Sequence, residues 1–312
     1  MSHKRLGPIL LAIAAVIVII TTFSHELGIR PKAAGSTPGT PSRLEDVVSQ
    51  FTATMPTSGS DGYDAPTADE RVTFTQAVHA VTERRLGMAQ HLLEPLDYGV
   101  RTLQDASTGR ELVILTEVPT PDGEIKHGWG LYVINPAAST QVLVEVAHPL
   151  FDVNTPEIGT AFFEAVDAQA LLIAGTHRYA DTDGSADVAH AAGSVFDAVN
   201  GELLTGSTFV VQPHGFDESD HSEEGDVVLS GGVSPPPPAV SQVAAQLETS
   251  GISVCVYGVA AACRDLGGTE NLQGRTAVKR GATFVQVEMS RAVRDYPNSW
   301  GAVVAALVAA LT

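Results

Sequence analysis

Histidine and carboxylate residues follow the ends of several apolar runs and have the chemistry of a metal-dependent active site. Four runs end beside such residues: His148 after QVLVEVA, His177 and Arg178 after ALLIAG, His214 after TFVVQP, and Glu288 within TFVQVEM. Imidazole nitrogen and carboxylate oxygen are zinc ligands, and a catalytic zinc site uses three protein ligands and leaves one position open. The pattern therefore predicts a shared zinc site.

The predicted zinc ligands are His148, Asp152 and His214. Asp152 follows His148 by four residues. It also lies where it could cap a helix beginning near residue 155, which is the structural alternative for this carboxylate. Glu157 is then the alternative third ligand.

Two further residues have predicted catalytic roles. Glu288 is the expected general base, which would take a proton from water and pass it to a leaving amine. The alternative for Glu288 is an ion pair with Arg291 or Arg294. Arg178 is expected to bind a substrate carboxylate or to stabilise an oxyanion, and its alternative is a surface salt bridge.

Two other histidines are assigned more loosely to the same site. His177 precedes Arg178, and His190 follows Asp187 by three residues in DVAH. Both are expected to contact the substrate or to support the ligands from behind. For His190, a role in the start of a helix is the alternative.

An α/β architecture would bring these residues together. Apolar runs alternate with segments of helical size at 141–147, 170–175, 208–213, 252–258 and 283–289. Strands this apolar are covered on both faces, which predicts a mixed, largely parallel sheet flanked by helices. Because such sheets bind ligands beyond the carboxyl ends of their strands, the residues above are expected to share one edge of the sheet.

Other segments frame this sheet. A capping box at Thr67–Glu70 predicts one helix that ends before Pro95. The runs 111–118 and 128–135, joined through TPDG, predict a hairpin. Residues 300–311 predict a packing helix too short to span a membrane. The acidic, proline-rich segment 216–240 is interpreted as a solvated insertion, with a flap beside His214 as the alternative.

The first residues have the pattern of an export signal. Lys4 and Arg5 precede the uncharged apolar run Leu6–Phe23, which is long enough for a signal anchor that crosses a thin bilayer. A cleaved signal peptide is the alternative. We expect residues 1–23 to be the anchor, 24–66 a flexible linker with a short helix over residues 43–51, and 67–312 the catalytic domain outside the cytoplasm. Cys255 and Cys263 could form a disulfide there.

The charge distribution excludes some classes of protein. The 312 residues carry a formal charge of −18, are 44% hydrophobic and have a mean hydropathy of +0.11. The chain is too apolar to be mainly disordered and too acidic to bind nucleic acid. Residues 127–263 contain 17 Asp and Glu but one basic residue, Arg178. An acidic region of this kind favours a cation.

The order of elements over residues 96–312 resembles the zinc carboxypeptidase superfamily. This superfamily includes zinc-dependent amidohydrolases of the N-formylglutamate amidohydrolase and phage polyglutamate hydrolase types. The resemblance implies a His-x-x-Glu pair after an early strand, a histidine after a later strand and a general-base glutamate near the end. His148, His214 and Glu288 match these positions. Asp152 departs from the pattern, since it is an aspartate four residues after His148 rather than a glutamate three residues after it.

These observations predict an exported, membrane-anchored zinc hydrolase that cleaves amide bonds in small peptides or N-acyl amino acids. Two alternatives remain open at this stage. One is a non-catalytic binding domain of the same fold outside the cytoplasm. The other is a metal-dependent phosphoesterase that uses the same residues.

Overall fold

The computed structural model describes residues 42–221, 223–259 and 263–311. Within these ranges, nine strands form one sheet. The strands are β1 Tyr98–Gln104, β2 Glu111–Glu117, β3 Leu131–Ile134, β4 Val142–Val146, β5 Ala170–Ile173, β6 Phe209–Gly215, β7 Val227–Ser230, β8 Val254–Val256 and β9 Thr283–Met289. The helices are α1 Leu44–Thr52, α2 Ala68–Thr82, α3 Leu86–Leu93, α4 Thr155–Ala165, α5 Val195–Leu203, α6 Pro238–Thr249, α7 Leu272–Arg280, α8 Arg291–Arg294 and α9 Pro297–Leu311, with a 3₁₀ turn at Glu94–Leu96.

The sheet is parallel at its centre, with antiparallel pairs on both sides and a parallel pair, β7 and β8, at one edge. Its strand order is β1-β2-β3-β5-β4-β6-β9-β7-β8. Strands β5, β4, β6 and β9 run parallel to one another. The hairpin β2–β3 pairs antiparallel with β1 and β5, and β7 pairs antiparallel with β9. A mixed α/β sheet flanked by helices is therefore confirmed, but the described sheet is not largely parallel, because antiparallel pairs are as frequent as parallel ones.

Each central strand contributes to two apolar cores, one on each face of the sheet. Val144 and Leu171 belong to one core, whereas their chain neighbours Leu143 and Leu172 belong to the other. Successive side chains of a strand point to opposite faces of the sheet, so this division shows that both faces of the central strands are covered by apolar packing. Helices α1, α4, α6 and α9 pack in the first core, and helices α2, α3, α5 and α7 pack in the second.

The predicted hairpin is confirmed, but the single helix predicted before it is two helices. The capping box at Thr67 begins α2 as expected. Arg84 then takes a left-handed backbone conformation, with φ of 59°, and α3 begins only at Leu86. Strand β1 was not predicted, because its apolar residues are mixed with exposed polar ones along the edge of the sheet.

The folded unit begins upstream of the predicted boundary at residue 67. Helix α1 buries Leu44, Val47 and Val48 in the core, and the backbone N–H of Leu44 donates to Oδ1 of Asp105 over 2.8 Å. Residues 42–66 are therefore part of the fold and not a flexible linker. Glycine, serine and proline in this stretch form turns between packed residues rather than a tether.

The predicted signal anchor at Leu6–Phe23 lies outside the described residues, as does the rest of the stretch 1–41. Among the helices of the described ranges, none is both long and apolar enough to cross a membrane.

The segment 216–240 is not simply a solvated insertion. It contains strand β7, whose four residues are all buried and which pairs with β9 and β8. Because the run VVLS is short and follows ten mostly polar residues, the sequence pattern did not predict this strand.

The disulfide between Cys255 and Cys263 is present, with 5.8 Å between the Cα atoms. The packing helix predicted at the C-terminus is α9.

Candidate metal centre

Two neighbouring parallel strands bring His148 and His214 together. His148 follows β4 by two residues, and His214 lies near the end of β6. The two strands are hydrogen-bonded to each other, so their carboxyl ends lie side by side. The centres of the two imidazole rings are 4.9 Å apart.

Asp152 joins the two histidines from the turn before α4. Its Oδ2 lies 3.2 Å from Nδ1 of His148 and 3.0 Å from Nδ1 of His214. One donor atom from each of the three side chains lies within 4.8 Å of the other two. All three residues are buried.

The hydrogen bonds of His148 determine which ring nitrogen carries the proton. Its Nε2 lies 2.9 Å from the carboxylate Oδ1 of Asp187, which accepts a proton. Its Nδ1 lies 3.4 Å from Nη1 of Arg178, and a guanidinium group can only donate. In the neutral ring, Nδ1 of His148 therefore carries the lone pair, on the side that faces both Arg178 and Asp152.

A chain of hydrogen bonds gives His214 the same orientation. The backbone N–H of Gly274 donates to Oδ1 of Asn271, so the amide nitrogen of Asn271 is the donor to Oε1 of Gln212. That same oxygen lies 2.6 Å from Nε2 of His214, which must then carry the proton. In the neutral ring, Nδ1 of His214 therefore presents its lone pair towards Asp152.

Three electron-pair donors thus converge with no proton assigned between them. This arrangement fits a divalent cation, because neutral imidazoles whose other nitrogen is held by an acceptor are the usual form of histidine metal ligands. Burial alone would raise the pKa of the Asp152 carboxyl. The contacts of its Oδ2 with the ring nitrogens of His148 and His214 outweigh it and hold this pKa well below its usual range. Asp152 is therefore ionised, as a metal ligand must be.

The alternatives for the third ligand are wrong. Glu157 is exposed in the first turn of α4 and lines a different cavity. The residue that caps α4 is Asn154, not Asp152. The side chain of Asp152 is directed at the two histidines instead.

Glu288 lies on β9 beside His214 and is buried. Gln286 donates to its Oε1 over 2.9 Å. Burial, reinforced by the charge of Asp152, raises the pKa of Glu288 to about 7, although His214 and two arginines oppose this shift. Neither arginine considered as an ion-pair partner binds Glu288: Arg291 pairs with Asp295, and Arg294 donates to the backbone carbonyls of Met289, Val153 and Phe216.

Arg178 is anchored in the centre by Asp187. Its Nε and Nη2 both donate to Oδ2 of Asp187, and its guanidinium carbon lies 5.3 Å from the ring centres of Phe151 and Tyr179. The side chain is 19% exposed, so this ion pair is more buried than the surface salt bridge considered as its alternative. Asp187 in turn has a pKa far below its usual range. Burial opposes this shift, but hydrogen bonds with His148 and His190 and the charge of Arg178 prevail.

The remaining two histidines differ in position. His190 reaches Asp187, with Nδ1 3.1 Å from Oδ1, and its ring is nearly parallel to that of His148 at 6.3 Å. It thus lies behind His148, where Asp187 contacts both rings. His177 turns the other way: its Nδ1 accepts the backbone N–H of Tyr179, and its ring meets the ring of Phe151 edge-on.

An open cleft of about 870 Å³ gives access to these residues. Its lining includes His148, Asp152, Arg178, His190, His214 and Glu288. His177 is not among the residues that line it. Its predicted contact with a substrate therefore has no geometric support.

Sequence reasoning missed two residues of the centre. Asp187 contacts His148, Arg178 and His190, but its only signal in the sequence is its place three residues before His190. Gln212 lies two residues before His214, on the same face of β6. A polar side chain inside an apolar strand run was the available signal for Gln212.

The chain was compared with known proteins. No protein-family model matches it, and no curated protein matches it.

Several solved structures are similar to it at low sequence identity. A gene product of Agrobacterium tumefaciens is 13% identical, with a TM-score of 0.43 over 56% of this chain and 90% of its own. An N-formylglutamate amidohydrolase from Ralstonia eutropha JMP134 is 14% identical, with a TM-score of 0.38 over 58% of this chain and 94% of its own. A metallo-carboxypeptidase from Burkholderia cenocepacia is 15% identical, with a TM-score of 0.36 over 75% of this chain and 67% of its own.

The assignment of a metal site to this chain rests on the side-chain geometry described above.

Proposed function

We propose that this protein is a zinc-dependent hydrolase of amide bonds. The observation that carries the proposal is the convergence of three lone-pair donors, from His148, Asp152 and His214, in a cleft that also contains Glu288. One carboxylate and two imidazoles are the ligand set of several catalytic zinc sites. The buried carboxyl group of Glu288 is a second acidic function in the same cleft, and it accepts a hydrogen bond from Gln286.

His148, Asp152 and His214 would hold the zinc ion. When bound, zinc supplies Lewis acidity that polarises a scissile carbonyl and lowers the pKa of water towards neutrality. Glu288 accepts the proton of the attacking water and returns it to the leaving nitrogen. Because Gln286 occupies Oε1, we assign this proton to Oε2.

Arg178 orients the substrate in this proposal. Its contact with Asp187 fixes the guanidinium group, and its remaining Nη1 is directed towards His148 at the cleft. A carboxylate or carbonyl oxygen of a small peptide or an N-acyl amino acid is the partner we assign to it. The charge distribution supports this choice, because Arg178 is the only basic residue of residues 127–263.

We further propose that the protein is exported and anchored by its N-terminal segment. The basic residues before the apolar run Leu6–Phe23 support this location. The disulfide between Cys255 and Cys263 is consistent with an oxidising compartment.

A substrate panel combined with metal analysis tests the proposed activity. The full-length chain, loaded with zinc, is assayed on short peptides, N-acyl amino acids and phosphoesters. Hydrolysis of an amide substrate that is lost after chelation and restored by zinc is the expected result. Cleavage of phosphoesters alone would replace the proposal with a phosphoesterase. A zinc-loaded chain that cleaves none of them would instead indicate a binding domain.

A further inference from the structure

A second group of metal-ligating side chains lies at the edge of the cleft. His221 and Glu224 belong to the connection between β6 and β7, and Asp265 belongs to the connection between β8 and α7. One donor atom from each of the three lies within 4.8 Å of the other two. His221 and Asp265 line the cleft, yet neither contributes to the site formed by His148, Asp152 and His214.

Glu224 distinguishes this group from a set of solvated acids. It lies in a strongly acidic loop, but its side chain is only 6% exposed. Its Oε1 accepts the backbone N–H of Asp265 over 3.4 Å. Within the described residues, its Oε2 has no hydrogen-bond partner.

The unpartnered oxygen is directed at the other members of the group. Oε2 of Glu224 lies 3.0 Å from Nδ1 of His221, within ion-pair distance, but the two atoms do not have the geometry of a hydrogen bond. Burying a carboxylate oxygen without a partner costs free energy, so such atoms are normally hydrogen-bonded or bound to a cation. A cation held jointly by the imidazole and the two carboxylates would satisfy this oxygen.

We propose that His221, Glu224 and Asp265 form a second divalent-metal site, independent of the first. A ligand set of one imidazole nitrogen and two carboxylates suits zinc and related first-row transition metals. Calcium and magnesium are disfavoured, because both prefer oxygen ligands throughout. The partial exposure of His221 and Asp265 leaves room for water as a further ligand.

The position of this site gives it a structural consequence. A metal ion there joins two connections of the chain that are separate in sequence but adjacent in space. The disulfide between Cys255 and Cys263 joins β8 to the second of these connections, and a small apolar cluster that includes Phe216 and Leu266 lies in the same region. The ring of His221 meets the ring of Phe216 edge-on at 5.8 Å. A metal ion at the second site thus joins the connection between β6 and β7, which contains the acidic loop, to the connection between β8 and α7.

Zinc content of the full-length chain tests this proposal. After equilibration with Zn²⁺ and dialysis, we expect Glu224→Gln and His221→Asn to hold one zinc ion per chain fewer than the wild type. Glu223→Gln is the matched control, since it removes an exposed acid next to Glu224 and should retain the full content. Circular dichroism verifies that each variant folds. If Glu224→Gln does not fold, His221→Asn still tests the site, because it changes a partly exposed side chain.

A further variant separates this site from the first one. Asp152→Asn removes a ligand of the first site, so it should still bind the second zinc ion and lose it when Glu224→Gln is added. The proposal is overturned if Asp152→Asn binds no zinc. It is also overturned if Glu224→Gln and His221→Asn both keep the wild-type content, or if Glu223→Gln loses as much zinc as they do.

Discussion

His214 and Glu288 are register partners on the neighbouring parallel strands β6 and β9. Their side chains therefore point to the same face of the sheet, at the carboxyl ends of both strands. The spacing between a candidate metal ligand and the candidate general base is set by backbone hydrogen bonds rather than by a loop. Sites built on strands hold their side chains more accurately than sites built on loops.

The role of Glu288 can be tested by removing its ability to accept a proton. In Glu288→Gln we expect turnover of an amide substrate to fall by about 10²–10⁴-fold, while zinc content stays the same. Steady-state kinetics and elemental analysis measure the two effects. Glu157→Gln, an exposed change in α4, is the control and should behave as the wild type. Unchanged turnover in Glu288→Gln would remove the base assignment.

Asp187 should govern metal affinity without touching the metal. Asp187→Asn weakens the hydrogen bond that holds His148 in its ligand form, and such changes lower metal affinity by about 10- to 100-fold. Competition with a chromogenic chelator measures the affinity for zinc. Asp183→Asn alters an exposed acid of the same loop and should leave affinity unchanged. Equal affinities in the two variants would contradict the supporting role.

Glu145 should make stability depend on pH. It is fully buried on β4 and accepts a hydrogen bond from Gln212. Burial raises its pKa to about 8 from the ordinary value of 4.5. Between these values, the unfolded chain gives up a proton that the folded chain retains. The contribution to stability is therefore complete below pH 4.5, falls by about 1.4 kcal/mol per pH unit, and is lost above pH 8.

Glu145→Gln removes this dependence. We expect the free energy of unfolding of the wild type, measured by urea denaturation, to decline more steeply between about pH 5 and pH 8 than that of the variant. Glu248→Gln changes an exposed glutamate on α6 and should keep the wild-type slope. Parallel pH profiles for the wild type and Glu145→Gln would refute the prediction.

The true start of the folded unit can be tested by truncation. A chain that begins at residue 67 lacks α1 and exposes the core surface around Leu44, so it should melt at a lower temperature than a chain that begins at residue 42. In the full-length chain, Leu44→Ala should cost about 2–5 kcal/mol of unfolding free energy. Gln50→Ala, on the exposed face of α1, should cost little. Equal melting temperatures for the two truncated chains would restore the linker interpretation.

The sequence was most informative about the parallel centre of the sheet. Runs such as VLVEV and TFVQVEM are predominantly apolar, and this local property identified β4 and β9 without knowledge of their partners. Because parallel strands end at a common edge, the residues after these runs could be grouped before their positions were known. His148, His214 and Glu288 were found in this way.

The sequence was least informative where an element depends on contacts distant along the chain. The sequence predicts a short helix over residues 43–51, but not that this helix, α1, is held by Asp105 and packed in the core. Strand β7 has only four residues and is fixed by pairing with β9. Local pattern cannot reveal either contact.

The amino-acid sequence by itself determined which strands end in metal-ligating residues, because strand formation and covered faces depend on neighbouring residues. Only the tertiary structure decided between Asp152 and Glu157, since both were within reach in sequence but one faces the histidines and the other faces solvent. It also decided the proton positions of His148 and His214. These proton positions follow from hydrogen bonds that involve Asp187, Gln212 and Asn271, which come from separate parts of the chain.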